Sequence, residues 1–156
     1  SYAGALGKPQ FISSSYRHYA VDFNNDNKVD LWSSNDDVIG SVANYFFKHG
    51  WRKNHPVLSD ISKGSIKNLS HESKKSYKPS TKYENYLKKG IESSNRINLD
   101  EKLSVISRNE PSERVYNFAH KNFYVITRYN RSRLYALAVH FLSLELRKAK
   151  TEMERL

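Results

Sequence analysis

The chain has 156 residues, with 26 Lys+Arg against 16 Asp+Glu, a formal net charge of +10, and no Cys. That length supports one domain with a sizeable core, and 38% hydrophobic with 13% aromatic residues excludes wholesale disorder. The missing Cys excludes disulfides, thiolate zinc sites and a cysteine nucleophile, and no run of about 18 apolar residues could span a membrane. The first residue is Ser1 rather than Met, which reads as a processed start or a piece of something longer.

In chain order, the first expected element is a helix over 9–19, with Pro9 in its first turn and Phe11, Ile12, Tyr16 and Tyr19 on one face. Then comes a loop with acid or amide oxygens at its positions 1, 3, 5 and 9: Asp22, Asn24, Asp26 and Asp30. That spacing turns successive oxygens toward one hard cation, for which calcium is the candidate and magnesium, wanting a strict octahedron, is less suited. Position 7, Lys28, would give its backbone carbonyl. Position 6, which needs φ > 0, is Asn27, and position 12 is Ser33 instead of a bidentate Glu, so Asp36 or Asp37 would have to supply the late ligand. An Asx-rich turn without metal would use the same residue types.

A helix is expected over 35–50, from the helical spacing of Val38, Ile39, Val42, Ala43, Phe46 and Phe47, a cap at Ser34 or Asn35, and Gly50 at the end. The stretch 48–90 carries eleven Lys/Arg against three acids, so most of the net charge lies there. With Pro56, Pro79 and sparse apolar residues, it reads as an exposed insertion with a few short strands, either a solvated surface or an electrostatic footprint for a polyanion. A weaker helix is expected over 80–89 and a short strand over 102–107. Residues 122–130 suit a strand or a helical face, and 132–154 predicts a long helix whose last turns, after Arg147, are exposed.

The six His form no HxH or HExxH pair and read as surface or core residues, not zinc ligands. Ser13, Ser14 and Ser15 stand in no GxSxG frame, glycine-rich phosphate loops are absent, and no acid has a recognisable apolar context for general-acid work. What remains is a set of aromatics beside amides near helix ends: Gln10 with Phe11, Asn44 with Tyr45, and Tyr129 with Asn130 ahead of Tyr135. A glycan cleft wants such platforms and donor-acceptor amides, and ordinary helix packing with polar caps uses them equally.

Several segments in order carry a resemblance: SYAGALGKPQFISSSY at 1–16, YAVDF at 19–23, DLW at 30–32, IGSVANYF at 39–46, HGW at 49–51, NFYVITRYNRS at 122–132 and LYALAV at 134–139. Together they resemble the membrane-bound lytic murein transglycosylase B family, strongly in both flanks and weakly from about 52 to 109. The resemblance implies a mainly α (α+β), lysozyme-like domain with a small β-rich basic insertion. One partial domain would then comprise 1–51 with cleft helices and the EF-hand-like loop, 52–110 as the insertion, and 111–156 with further cleft helices. It implies a periplasmic peptidoglycan lytic transglycosylase, anchored to the outer membrane through an N-terminal segment. Such enzymes cleave the bond between N-acetylmuramic acid and N-acetylglucosamine without water. One glutamic acid protonates the glycosidic oxygen and then takes the proton of the muramoyl C6 hydroxyl, closing a 1,6-anhydro ring.

Position by position, the resemblance makes Ser1 the serine that hydrogen-bonds the catalytic Glu, and Gln10, Tyr45, Tyr129, Asn130 and Tyr135 glycan-binding residues. It makes Asp22, Asn24, Asp26, the Lys28 carbonyl and Asp37 the ligands of a structural Ca2+. The matching catalytic Glu lies upstream of the segment like Ser1, so no catalytic residue is expected in 1–156, the chain alone is expected to be inactive, and helices that would cover its apolar faces are expected elsewhere. The expected partners are peptidoglycan strands, the upstream segment of the parent chain, and an anionic wall or membrane surface for the lysine-rich insertion. A non-catalytic glycan-binding module is the alternative. Nucleic-acid binding ranks last, because no RRM, zinc-finger or helix-turn-helix motif accompanies the lysines.

Overall fold

A computed structural model describes residues 4–155, which divide after Trp51 into two compact units. The first unit holds α1 (Ser13–Tyr19) and α2 (Asn35–Lys48), with the acidic loop between them. The start of α2 is set as its sequence implies: the Ser34 hydroxyl accepts from the Asp37 N–H, and Asp36 and Asp37 sit in the positive first turn. At its other end Gly50 adopts φ 86° and donates to the Phe47 carbonyl.

The expected helix over 9–19 is shorter at its front. Residues 4–11 form a tight loop in which Leu6 and Phe11 exchange backbone hydrogen bonds and Gln10 takes φ 54°. The reason is tertiary: Lys8 N–H donates to the Leu31 carbonyl, and Gly7 lies so close that a Cβ would stand 2.5 Å from that same oxygen. The core of this unit is aromatic, with Phe11 and Tyr45 buried and Tyr19 edge-on to Tyr45 at 4.8 Å.

The second unit is built on a five-stranded antiparallel sheet in the order β2-β4-β5-β1-β3. Its strands are β1 (Leu58–Lys63), β2 (Thr81–Lys82), β3 (Glu92–Ser93), β4 (Lys102–Asn109) and β5 (Arg114–Ala119). Its helices are α3 (Ile66–Ser73), α4 (Tyr83–Leu87), α5 (Lys121–Tyr129) and α6 (Arg133–Met153). Residues 103–106 are buried consecutively, because both faces of β4 are covered at its centre. Phe118 is fully buried, with Tyr83 and Tyr86 edge-on at 5.5 and 5.1 Å, and Leu69, Ile91, Leu103 and Val105 complete this core. Burial drives the Tyr86 phenol up to about 12.

The basic stretch contains more helix than its composition suggests, since α3 is capped by Ser65 on the Asn68 N–H and buries Leu69 and Glu72. Four of its eleven basic residues are paired with acids: Lys63 with Glu92, Lys82 with Asp100, and both Lys75 and Lys89 with Glu72. Of the ambiguous residues 122–130, all but Asn130 are helical, within α5. Helix α6 starts at a Ser132 cap on the Tyr135 N–H, and every residue from 141 to 155 is exposed, as expected for its charged end. Large apolar side chains also stand open on the helices: Ile39 and Phe47 on α2 are 65% and 70% exposed, and Leu134 on α6 72%. No described helix is long and apolar enough to cross a membrane.

Candidate functional site

In the second unit, the turn from α5 into α6 holds three of the expected glycan-binding residues together. Helix α5 stops at Asn130, whose φ −138° and ψ 122° are extended, and whose Oδ1 accepts from the Ser132 N–H. This places Tyr129 at the end of one helix and Tyr135 in the first turn of the next, with their rings parallel within 2° and centroids 6.5 Å apart. Tyr129 is partly buried, Asn130 exposed and Tyr135 36% exposed, so two aromatic residues and an amide residue reach solvent at one turn. The turn is anchored by Tyr77, whose hydroxyl donates to the Arg131 carbonyl at 3.0 Å.

In the first unit Gln10 is exposed, and its carboxamide donates to the Gly7 carbonyl at 2.9 Å. Tyr45 is only 7% exposed, stacked on His49 at 4.0 Å. Its ring faces are therefore packing surfaces, and it offers a ligand an edge rather than a platform. Ser1 lies outside the described residues.

The acidic loop closes on its own backbone. Asp22 accepts from the N–H of Asp26 and of Asn27, Asn24 from Asp26, and Asp26 from Lys28. Asn25 and Asn27 carry φ 61° and 68°, so Asn27 supplies the left-handed turn that the spacing demands. Asp37 is fully buried and reaches from α2 to both ends of the loop, accepting from Phe23 N–H and Asp30 N–H at 2.8 Å each. Those N–H groups, Asp30 first and then Phe23, hold the Asp37 carboxyl below the ordinary carboxylate range. The N–H groups of Ser33 and Trp32, aided by Lys28, do the same for Asp30. Among the described residues, no three His, Asp or Glu side chains form a metal-holding group by themselves. The donor set that suits a hard cation thus has to include the Asn24 amide and the Lys28 carbonyl. That all-oxygen set and the preformed turn fit calcium chemistry and exclude a soft metal.

A groove of about 720 Å³ in the second unit is lined by Lys74, Lys75, Arg108, Arg114 and Arg133 with one acid, Glu110. Arg108 lies over the Phe141 ring at 5.0 Å and pairs with Glu110. Sequence reading located the basic stretch 48–90, but not the contributions from β4, β5 and α6.

Two buried polar groups escaped the sequence reading altogether. Glu72 is 4% exposed: burial pushes its pKa up, but the Lys89 and Lys75 ammoniums outweigh it and hold the carboxyl low. His120, 1% exposed, hydrogen-bonds Ser59 through Nε2 and Glu101 through Nδ1. The three residues share no motif and meet only through strand register, so no local pattern could have announced them.

The transglycosylase SLT domain model matches residues 1–144. The chain belongs to that family. Membrane-bound lytic murein transglycosylase B of Escherichia coli is 36% identical over 152 residues, covering 97% of this chain and 40% of that protein. Among solved structures, a soluble lytic transglycosylase of Pseudomonas aeruginosa superposes with a TM-score of 0.88 at 38% identity, covering 97% of this chain and 50% of the other. An Escherichia coli lytic transglycosylase in complex with calcium gives 0.85 at 35%, covering 97% and 46%. The lysozyme-like α+β fold expected from the resemblance is therefore the fold of this family, and the chain spans about half or less of the length of these relatives.

Proposed function

We propose that this chain is part of a lytic transglycosylase that cleaves peptidoglycan between N-acetylmuramic acid and N-acetylglucosamine and leaves a 1,6-anhydromuramoyl end. The observation that carries the reading is the parallel Tyr129–Tyr135 pair beside Asn130, within a sequence that follows a murein-cleaving relative along nearly its whole length. Sugar rings present flat C–H faces and many hydroxyls, which suit ring faces flanked by a carboxamide. Gln10 and Tyr45 are glycan-binding residues in the same reading, and Ser1 supports the acid.

The acid itself belongs to none of the described glutamates. A glutamic acid that protonates a leaving oxygen needs its pKa raised, and Glu72, the only buried glutamate among the described residues, is held charged by two lysines. The proton donor then comes from the portion of the relatives that this chain does not span, and the chain by itself does not turn over. Calcium is held by Asp22, Asn24, Asp26, the Lys28 carbonyl and Asp37. It contributes by bracing the turn between α1 and α2, with no part in the chemistry. The compartment is the periplasm, and the basic insertion faces anionic wall polymer or a membrane surface.

The alternative of a non-catalytic wall-binding module is favoured by the paired state of Glu72. Mass spectrometry of purified sacculi digested by a chain extended to the full length of its relatives separates the two. 1,6-Anhydromuropeptides support the transglycosylase, a hydrated reducing end indicates a hydrolase, and no release indicates a binding module.

A further inference from the structure

We propose that Ser59, His120 and Glu101 form an acyl-transfer site in the second unit that hydrolyses short-acyl oxygen esters of polar alcohols. Its assembly follows from register. Strand β1 pairs with β5 so that Ser59 lies opposite Phe118, and the ladder runs on until the His120 N–H donates to the Val57 carbonyl at 3.0 Å. His120 is the residue before α5, with extended φ −87° and ψ 178°, and its imidazole lies beside β1. There Ser59 Oγ is 2.7 Å from His120 Nε2, and His120 Nδ1 is 2.8 Å from Glu101 Oε1.

This is the order of roles that activates a serine: hydroxyl on one ring nitrogen, carboxylate on the other. With Nδ1–H donating to Glu101, the lone pair of Nε2 faces the Ser59 hydroxyl, and Glu101 stands ready to stabilise the imidazolium that forms. Glu101 is itself fixed just before β4, its N–H donating to the Asn98 carbonyl and its own carbonyl accepting from the Tyr83 N–H.

Ser59 and His120 are 6% and 1% exposed, and together with Glu101 they are among the residues lining a cavity of about 370 Å³, a size for a small acyl group. Asn95, Arg96 and Asn98 also line it, and their side chains are of the donor types suited to a developing oxyanion and to a polar leaving alcohol.

The step balances with water as co-substrate. Ser59 Oγ attacks the carbonyl carbon while His120 Nε2 takes its proton, the ester C–O bond breaks, and the departing alkoxide receives that proton. Water then adds to the acyl-serine, giving its proton to His120, and the carboxylic acid leaves as Ser59 is restored. The site is independent of the glycan-binding turn.

The test is to treat the intact chain with a fluorophosphonate, map the adduct by peptide mass spectrometry, and follow 4-nitrophenyl acetate hydrolysis. The expected results are an adduct on Ser59, at least a ~100-fold loss of turnover in Ser59→Ala, and no loss in Ser62→Ala on the same strand. Glu101→Gln is expected to shift the acid limb of the pH profile downward, which a purely structural role would not do. A folded chain that takes up no label at Ser59, or a folded Ser59→Ala that hydrolyses like the original, overturns the proposal. If Ser59→Ala does not fold, adduct mapping on the unaltered chain decides the question by itself.

Discussion

Replacing Asn122 by Ala removes the group that binds the segment after Trp51 to α5. The carboxamide is 1% exposed and makes three hydrogen bonds: Oδ1 accepts from the Arg52 N–H at 2.8 Å, and Nδ2 donates to the carbonyls of Arg52 and His55 at 2.8 and 2.9 Å. Truncation leaves the Arg52 N–H and the His55 carbonyl without that partner at a part-buried site, while the Arg52 carbonyl keeps the His55 N–H, and each lost partner costs roughly 1–3 kcal/mol unless water reaches it. Allowing for relaxation, a total of about 3 kcal/mol is expected, which for a domain of this size lowers Tm by roughly 10 °C. Asn122→Asp is the sharper variant, because it keeps the volume, loses both donors and turns a carboxylate onto two carbonyls. It should destabilise at least as much as Ala. Thermal melts and limited proteolysis after Arg52 and Lys53 report the two effects. A Tm within about 2 °C of the original for both variants would refute the reasoning, since it would mean the three hydrogen bonds carry no net stability.

Three further outcomes are expected. Gly40→Ala puts a Cβ 2.6 Å from the Cβ and Cγ of Phe23, so α2 and the loop must part, at a cost of about 1–3 kcal/mol seen in denaturant unfolding of the first unit. Calcium at 100 times its Kd should add about 2.7 kcal/mol to unfolding, raising Tm by several degrees, and Asp22→Ala should abolish that rise while chelator leaves the variant unchanged. Glu72 has a folded pKa below its ordinary value of 4.5, so its stabilisation is present above that value and lost as pH falls through the lower folded one. Glu72→Gln should therefore melt lower than the original at neutral pH, with the difference shrinking on acidification. A constant difference down to acid pH would show that Glu72 acts through packing alone.

What the sequence disclosed, it disclosed through local chemistry. Helices α2 and α6 were readable because their apolar residues recur at helical spacing, and at α2 the cap stands at Ser34, one of the two positions the pattern offered. The turn of the acidic loop was readable because its Asx residues lie within a few positions of one another, and Asn27 takes the φ > 0 that its position requires. Non-local effects stayed hidden. Pro9 looked like a helix start, but the contacts of Gly7 and Lys8 with Leu31 impose a turn instead. Helix α3 was masked by its charge, since Ile66 is 78% exposed and only Leu69 and Glu72 point inward. Strand β5 was not anticipated at all, and with it went the pairing of Ser59 with His120. Among the residues expected to bind glycan, Tyr129, Asn130 and Tyr135 meet at one turn, whereas Tyr45 is enclosed by Phe11, Tyr19 and His49 to a degree that its position beside Asn44 could not reveal.

The central claim is that this chain grips peptidoglycan strands through the turn between α5 and α6. Titration of the chain with a muramoyl-glucosamine oligosaccharide, followed by NMR, tests it most directly. The account predicts saturable shifts at Tyr129, Asn130 and Tyr135, and binding weakened about tenfold or more by Tyr129→Ala in a folded protein. Saturable binding that leaves those three residues unperturbed, or no binding at millimolar oligosaccharide, would contradict it.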